Sequence, residues 1–390
     1  MAEAILLAGK EKRVLAGHPW VYRSEVSTIR GDFAPGEVLD VRDARGRFLG
    51  RGYANPASQI FIRLLTRKDE PVDRNFFRRR LEAAAAYRQK IVKNTTAYRV
   101  VNAEADFLPA LVVDRYGACL VVQFLALGIE RFKALLVELL VELFNPLGIY
   151  ERSDVNVRAR EGLAPESGPL FGTVPQFTEI DEGGIRFRVD LHTGQKTGFF
   201  LDQRENRRAV AELAAGARVL DCFCYTGGFA VSAALGGAAS VLGVEISGPA
   251  LALARENAAL NGVAERCTFR EANAFDILRQ LADEGERFDL VILDPPAFTK
   301  SKEALPGAIR GYKEINLRAM KLLRPGGFLV TCSCSYHLTE DLFLSVVMAA
   351  ASDARRTLRL VELRRQARDH PVLLAAPETY YLKCGIFQVF

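Results

Sequence analysis

The stretch RVLDCFCYTGGFAVSAALGGAASVLGVEI, residues 218–246, decides how the second half of the chain folds. An apolar strand-like run, RVLDCFC, breaks at the paired glycines 227 and 228, continues as a helical run, FAVSAAL, and returns to a strand, SVLGVEI. The alternation carries on outward through PALALARENAALNG, CTFREAN, AFDILRQLADE, FDLVILD, GYKEINLRAMKLL, GFLVTCSCS and TEDLFLSVVMAAA. Five strand-then-helix steps predict an α/β domain on a doubly wound parallel sheet. LRLVELRRQ and YYLKCGIFQVF, separated by a loop with His370 and Pro371, predict a terminal antiparallel hairpin.

Toward the N-terminus, residues 98–190 read strand, strand, helix, strand, strand, which predicts a small α+β middle domain. Residues 1–75 hold short β-type runs, such as GEVLDVRD and QIFIRLLT, cut by Gly, Pro and Asp as a small all-β barrel requires. A helix from about 75 to 92 joins the two. The expected domains are therefore 1–75, 76–188 and 189–390.

A chain of 390 residues that is 49% hydrophobic has material for more than one core. No ~20-residue apolar run and no signal-peptide core occur, so a cytoplasmic protein away from membranes is expected. The seven cysteines are odd in number and lack paired metal-ligand spacing, which predicts free thiols, no disulfide and no metal. Cys222 and Cys224, and Cys332 and Cys334, are each separated by one residue, placing each pair on one face of a strand. The net charge of +5 is compatible with nucleic acid, and Lys and Arg are dense in residues 1–100. Arg78, Arg79 and Arg80 read equally as a solvated helix face.

In a doubly wound sheet, ligands bind beyond the carboxyl ends of the strands. The first such loop runs from Asp221 to Phe229 and lacks the G-x-G-x-x-G fingerprint, which argues against a dinucleotide. Glu245 closes the second strand 18 residues after Gly227, near the offset at which a carboxylate grips ribose hydroxyls. Asn273 and Ala274 end the third strand, where a polar side chain and a backbone amide can meet an adenine edge. Asp294-Pro295-Pro296 follows the fourth strand and Cys332-Ser333-Cys334-Ser335 ends the fifth, so an acid and a thiol are expected in one pocket.

DCFCYTGGF, VEIS and Asp294-Pro295-Pro296 together resemble the class I S-adenosylmethionine-dependent methyltransferases over roughly 190–390. GKEKRVLAGHPWVYRSEV and GEVLDVRDARGRFLGRGYANP resemble PUA domains, which bind RNA. With YRVVNAEADFLPALVVDRYG, IYERSDVNVRAREGL and HTGQKTGFFLDQRENR, nearly the whole chain resembles the PUA-domain-containing 23S rRNA cytosine-5 methyltransferases. That resemblance implies a C-terminal Rossmann-like methyltransferase sheet, S-adenosylmethionine (SAM) as cofactor and ribosomal RNA as partner, and leaves room for a homodimer. It implies a cofactor site of Lys196, Thr197, Phe200, Asp221, Phe223, Tyr225, Gly227, Glu245, Asn273, Ala274 and Asp294, the first three on a lid from Gln195 to Asn206. It favours Cys334 over Cys332 as a nucleophile adding to cytosine C6, with Asp294 as the acid. Where many relatives carry a second cysteine beside that acid, this chain has Ala297. Candidate RNA contacts are Lys10, Lys12, Arg13 and Arg23 in the first domain, with Arg152 and Arg158 in the middle one. Two other readings stay open: an amino-group RNA methyltransferase, suggested by the D-P-P-x-F pattern, and a non-catalytic RNA-binding assembly factor.

Overall fold

A computed structural model describes every residue except Lys300. The chain groups into two units, each drawn from several stretches: Met1–Gly183 with Val189–Leu201 and Arg368–Thr379, and Gly184–Arg188 with Asp202–Ala367 and Tyr380–Phe390.

The first unit opens with β1 (Glu3–Leu6), α1 (Glu11–Leu15), β2 (Trp20–Tyr22), β3 (Val26–Arg30), β4 (Val38–Arg42), β5 (Phe48–Ala54) and β6 (Ile60–Thr66). These strands form one sheet in the order β2-β6-β5-β4-β1-β3 around a core that includes Val21, Leu39, Val41 and Phe61. Helix α2 (Arg74–Ile91) starts at Asp73, whose carboxylate accepts the Phe76 N–H and so satisfies one orphan donor of the first turn. Then come β7 (Ala97–Asn102), β8 (Leu111–Tyr116), β9 (Cys119–Phe124), α3 (Leu127–Glu130), α4 (Lys133–Phe144), β10 (Gly148–Ser153) and β11 (Glu166–Gly172). They build a second sheet in the order β11-β10-β9-β8-β7, and β12 (Phe177–Glu182) and β13 (Ile185–Asp190) follow along the chain.

The two compact units cut across the expected stretches 1–75, 76–188 and 189–390 for identifiable reasons. Tyr53 and Leu65 share one apolar core with Phe76, Leu81, Val113 and Leu140, so residues 1–75 and the stretch after them form one unit. Gly128 makes this possible, because a Cβ there would stand 1.9 Å from the Tyr53 ring. Residues 189–201 and 368–379, expected in the C-terminal domain, belong to the first unit. Buried Thr197 donates to Asp114 at 2.6 Å. The Asp369 carbonyl accepts from Arg88 at 2.7 Å, and its carboxylate accepts the Arg99 backbone N–H at 2.9 Å.

The second unit carries α5 (Arg204–Glu212), β14 (Arg218–Cys222), α6 (Gly228–Leu235), β15 (Ser240–Glu245), α7 (Gly248–Leu260), β16 (Cys267–Glu271) and α8 (Ala274–Asp283). It continues with β17 (Phe288–Leu293), α9 (Leu305–Leu322), β18 (Leu323–Ser333), α10 (Glu340–Ala354), β19 (Leu358–Arg365) and β20 (Lys383–Val389). The sheet order is β16-β15-β14-β17-β18-β20-β19, with β14 to β18 parallel and β20 antiparallel to both β18 and β19. The expected doubly wound sheet and terminal hairpin are both present. The order reverses between β15 and β17 on either side of β14, and this switch point places the cofactor loop.

Arg63 is a buried cation in the first unit, bonded to Glu104 at 3.3 Å and Glu161 at 3.0 Å. Glu161 also accepts from Asn55 at 2.9 Å and Ser58 at 2.6 Å, while Glu104 accepts the Trp20 indole N–H at 2.9 Å. The sole tryptophan is thus tied inside the fold through its polar edge. Replacing Arg63 by Met leaves two desolvated carboxylates without their cation, and urea unfolding should show a loss of about 3–5 kcal/mol.

Candidate active site

Strand β14 ends at Cys222, and the chain turns through Phe223 (φ 65°), Tyr225 (φ 49°) and Gly227 (φ 80°) before α6 begins. Two non-glycine residues in the left-handed region cost about 1–3 kcal/mol each, so the surroundings must hold them there. They do: Cys224 N–H donates to Val244 O at 3.0 Å, Gly227 N–H to Cys224 O at 2.8 Å, and Asn257 Nδ2 to Thr226 O at 3.0 Å. Tyr225 N–H reaches Glu245 Oε2 at 3.1 Å, and Glu245 Oε1 accepts from Ile246 at 2.9 Å and Ser247 at 3.1 Å. Backbone amides thereby fix the orientation of the carboxylate expected to meet a ribose, and its oxygens keep lone pairs for further donors. A Cβ at Gly227 would stand 3.1 Å from that of Ala254, which with its positive φ keeps this position for glycine.

Three carboxylates converge at these strand ends. Asp221 is fully buried, and among the described residues neither of its oxygens has a close hydrogen-bond partner, although the Ala230 backbone N–H acts on it. Burial pushes its carboxyl well above the usual range, and the charges of Asp294 and Glu245 push it further. A site that gathers acids around an unsatisfied buried carboxylate suits a ligand carrying positive charge, and SAM carries both a sulfonium and an ammonium. The residues present therefore fit this cofactor. Asn273 caps α8 by accepting the Phe275 N–H at 2.9 Å, beside buried Ala274.

Asp294 follows β17, and its Oδ1 accepts from Gln203 Nε2 at 2.9 Å. Gln203 is held in turn by Asn206 Nδ2 at 2.6 Å, and Asn206 Oδ1 accepts from Arg364 at 3.1 Å. Strand β18 stops at Ser333, so Cys332 and Cys334 do not share a strand face as expected; β14 likewise stops before Cys224. Cys332 is buried opposite Cys384 on β20, and the hydrogen bond between these thiols together with burial pushes its pKa well up. Cys334 is half-buried beyond the strand end, its Sγ 3.9 Å from the carbonyl oxygen of Pro295. Phe298 packs against Tyr312 (4.5 Å between ring centres), Phe275 (5.8 Å) and Phe223 (6.5 Å), making an aromatic wall beside the Asp294-Pro295-Pro296 segment.

The remaining expected site residues lie in the first unit. Lys196 is exposed with its Nζ 4.5 Å from the centre of the half-buried Phe200 ring. Thr197 is fully buried, and its hydroxyl donates to Asp114 and bonds to Tyr116. Lys10, Lys12 and Arg23 are exposed, whereas Arg13 binds Glu25 at 3.1 Å and Trp20 O at 2.9 Å. The structure puts Arg152 and Arg158 to internal use: both are buried, Arg152 pairing with Asp154 and Arg158 holding Phe124 O and Glu130 at 2.7 Å each. Glu130, Glu151 and Glu166 are spaced as metal ligands would be, but Lys133 puts its ammonium among all three. Gln203, Tyr312 and Lys383 escaped the sequence reading; a lone Lys in the apolar run YYLKCGIFQVF was the available signal for the last.

Because the folded state raises the Asp221 pKa, the carboxyl is stabilising only while protonated, and stability falls as pH rises past the unfolded value near ~3.9. At neutral pH, Asp221→Asn should raise the melting temperature by several degrees, equivalent to about 1–3 kcal/mol, and weaken SAM binding. Scanning fluorimetry and calorimetric titration read the two effects; a destabilised variant that keeps its affinity would refute this role.

Residues 160–377 match the family model for S-adenosylmethionine-dependent methyltransferases, and residues 4–67 match that for a PUA-like domain. The chain is 45% identical to the ribosomal RNA large subunit methyltransferase I of Erwinia tasmaniensis, covering 97% of each chain. It is 47% identical to that of Shewanella amazonensis, over 99% of this chain and 98% of the relative. SMU.776, crystallised in complex with SAH, shares the fold across 100% of both chains, at a TM-score of 0.88 and 23% identity. With a sheet built for SAM, a PUA-like first domain and close relatives along its whole length, the chain belongs to the ribosomal RNA large subunit methyltransferase I family of SAM-dependent methyltransferases.

Proposed function

We propose that this enzyme methylates C5 of a cytosine in large-subunit (23S) ribosomal RNA, with Cys334 as the nucleophile. The placement of the thiols carries the reading. Among the described residues only Cys267 and Cys334 are not buried, and Cys267 opens β16 at the amino end of the sheet with its pKa raised to about 11 by burial. Cys334 is the accessible thiol at the carboxyl end, beside the Asp294 segment.

Cytosine C5 is a poor nucleophile until a thiolate adds to C6. The Cys334 sulfur forms that bond, and Asp294, its orientation held by Gln203, supports N3 as charge develops there. SAM supplies the electrophilic methyl group. Loss of the C5 proton then lets the thiolate leave. The Phe298 wall offers a face on which an unstacked base can rest. The names of the relatives support ribosomal RNA as the substrate.

For RNA docking on the first unit we propose the exposed Lys10, Lys12 and Arg23, together with a cavity of about 440 Å³. Leu65, Phe76 and Phe107 contribute apolar surface to it, and Arg67, Lys68 and Arg79 supply exposed cations. Phe107 is 50% exposed at φ 58°, a strained placement that offers a stacking platform.

Two experiments test these assignments. Ribosomal RNA containing 5-fluorocytidine should give a denaturation-stable adduct with wild type and with Cys332→Ala but none with Cys334→Ala, whose turnover should fall roughly a thousandfold or more. Methyl transfer to ordinary RNA without any adduct would point to amino-group chemistry instead. Lys68→Ala combined with Arg79→Ala should weaken RNA binding uniformly across sequences and flatten its log–log salt dependence by roughly 1 to 2.

A further inference from the structure

Lys383 opens β20 directly opposite Ser333, is 1% exposed, and has no ion pair among the described residues. Its Nζ donates to Ser335 O at 2.7 Å and to Tyr381 O at 2.9 Å. The Ser335 carbonyl belongs to the residue after Cys334, so the amine is fastened to the same turn as the thiol. A neutral amine has two N–H groups and a lone pair; an ammonium has three N–H groups. Two carbonyls take two donors in either state, so protonation changes only the third tetrahedral position.

The charges around Nζ are few. Cys334 and Glu340 act on it through space, and the Tyr380 ring lies 5.8 Å away with its hydroxyl given to Glu340 at 2.6 Å. Arg365 also lies over that ring, 5.3 Å from its centre, and the nearby Tyr312 hydroxyl bonds to both the Ser333 and Ser335 hydroxyls. Burial brings the Lys383 pKa down to about 8, close to the ~8.5 of a free thiol. The N-terminus of α10 is a weaker source of positive potential, because Glu340 and Asp341 occupy its first turn.

We propose that Lys383 is the positioning residue that accepts the Cys334 thiol proton and holds the sulfur as a thiolate. The S–H bond breaks, an N–H bond forms on Nζ, and the electron pair left on sulfur makes the bond to C6; nothing is oxidised or reduced. When the sulfur leaves, the ion pair is restored. The identity of the electrophile rests on the cytosine-5 reading above, but the proton transfer does not.

The test is iodoacetamide labelling of the Cys334 peptide in the full-length protein as a function of pH, without RNA. Wild type should label with a midpoint below ~8.5. Lys383→Met should raise the midpoint by a unit or more, slowing labelling at pH 7 about tenfold, and Lys383→Arg, which keeps the charge, should recover at least half of that shift. A wild-type midpoint at or above the free-thiol value overturns the proposal whether or not the variants fold. So does an unshifted midpoint in a Lys383→Met protein that still binds SAH. A missing fluorocytidine adduct with a shifted midpoint sinks the cytosine-5 reading alone, and an intact adduct with an unshifted midpoint sinks Lys383 alone.

Discussion

Hydrogen-bonded parallel pairing of β17 against β14 on one side and β18 on the other is the constraint on which the site depends. Parallel strands end together, so the residues after them are delivered to one edge of the sheet. Leu293 pairs with both Cys222 and Thr331, which brings Asp221, Asp294 and the turn carrying Cys334 to the same edge. No loop has to search for these groups. What the loops add is orientation: amides on Glu245, Gln203 on Asp294, and the Ser335 carbonyl on Lys383.

That edge is assembled at a cost to the fold. A buried carboxyl without a close hydrogen-bond partner, two non-glycine residues with positive φ, and a buried lysine without a carboxylate all oppose stability. The Leu-, Val- and Ile-rich core beneath, with Leu220, Val291, Leu293 and Leu329, supplies the apolar burial that outweighs them. Stability and reactivity are thus divided between the middle of the sheet and its carboxyl edge.

The sheet, its hairpin and the cofactor loop were legible because strand and helix periods differ and the alternation is regular. Strand ends were less so: nothing in Thr331-Cys332-Ser333-Cys334 marks where β18 stops, and the expected shared face of Cys332 and Cys334 failed on that point. Arg152 and Arg158 misled because a cation has the same letter whether it meets solvent or a buried acid, and only the fold brings Glu130 beside Arg158. The return of residues 189–201 and 368–379 to the first unit rests on individual bonds such as Thr197 to Asp114 and Arg88 to Asp369, which leave no periodic trace.

The bond from Arg88 to the Asp369 carbonyl joins residues 281 positions apart. During synthesis the first unit therefore stays unfinished until residue 369 has emerged, because Arg88 lacks one of its buried acceptors until Asp369 exists. Most of the second unit, Asp202–Ala367, lies between them in the sequence, and Tyr380–Phe390 follows. Entropy of loop closure grows only slowly with length, so the delay is one of order rather than of energy. β20, which pairs with both β18 and β19, emerges later still, so each unit waits on a stretch that follows most of the other.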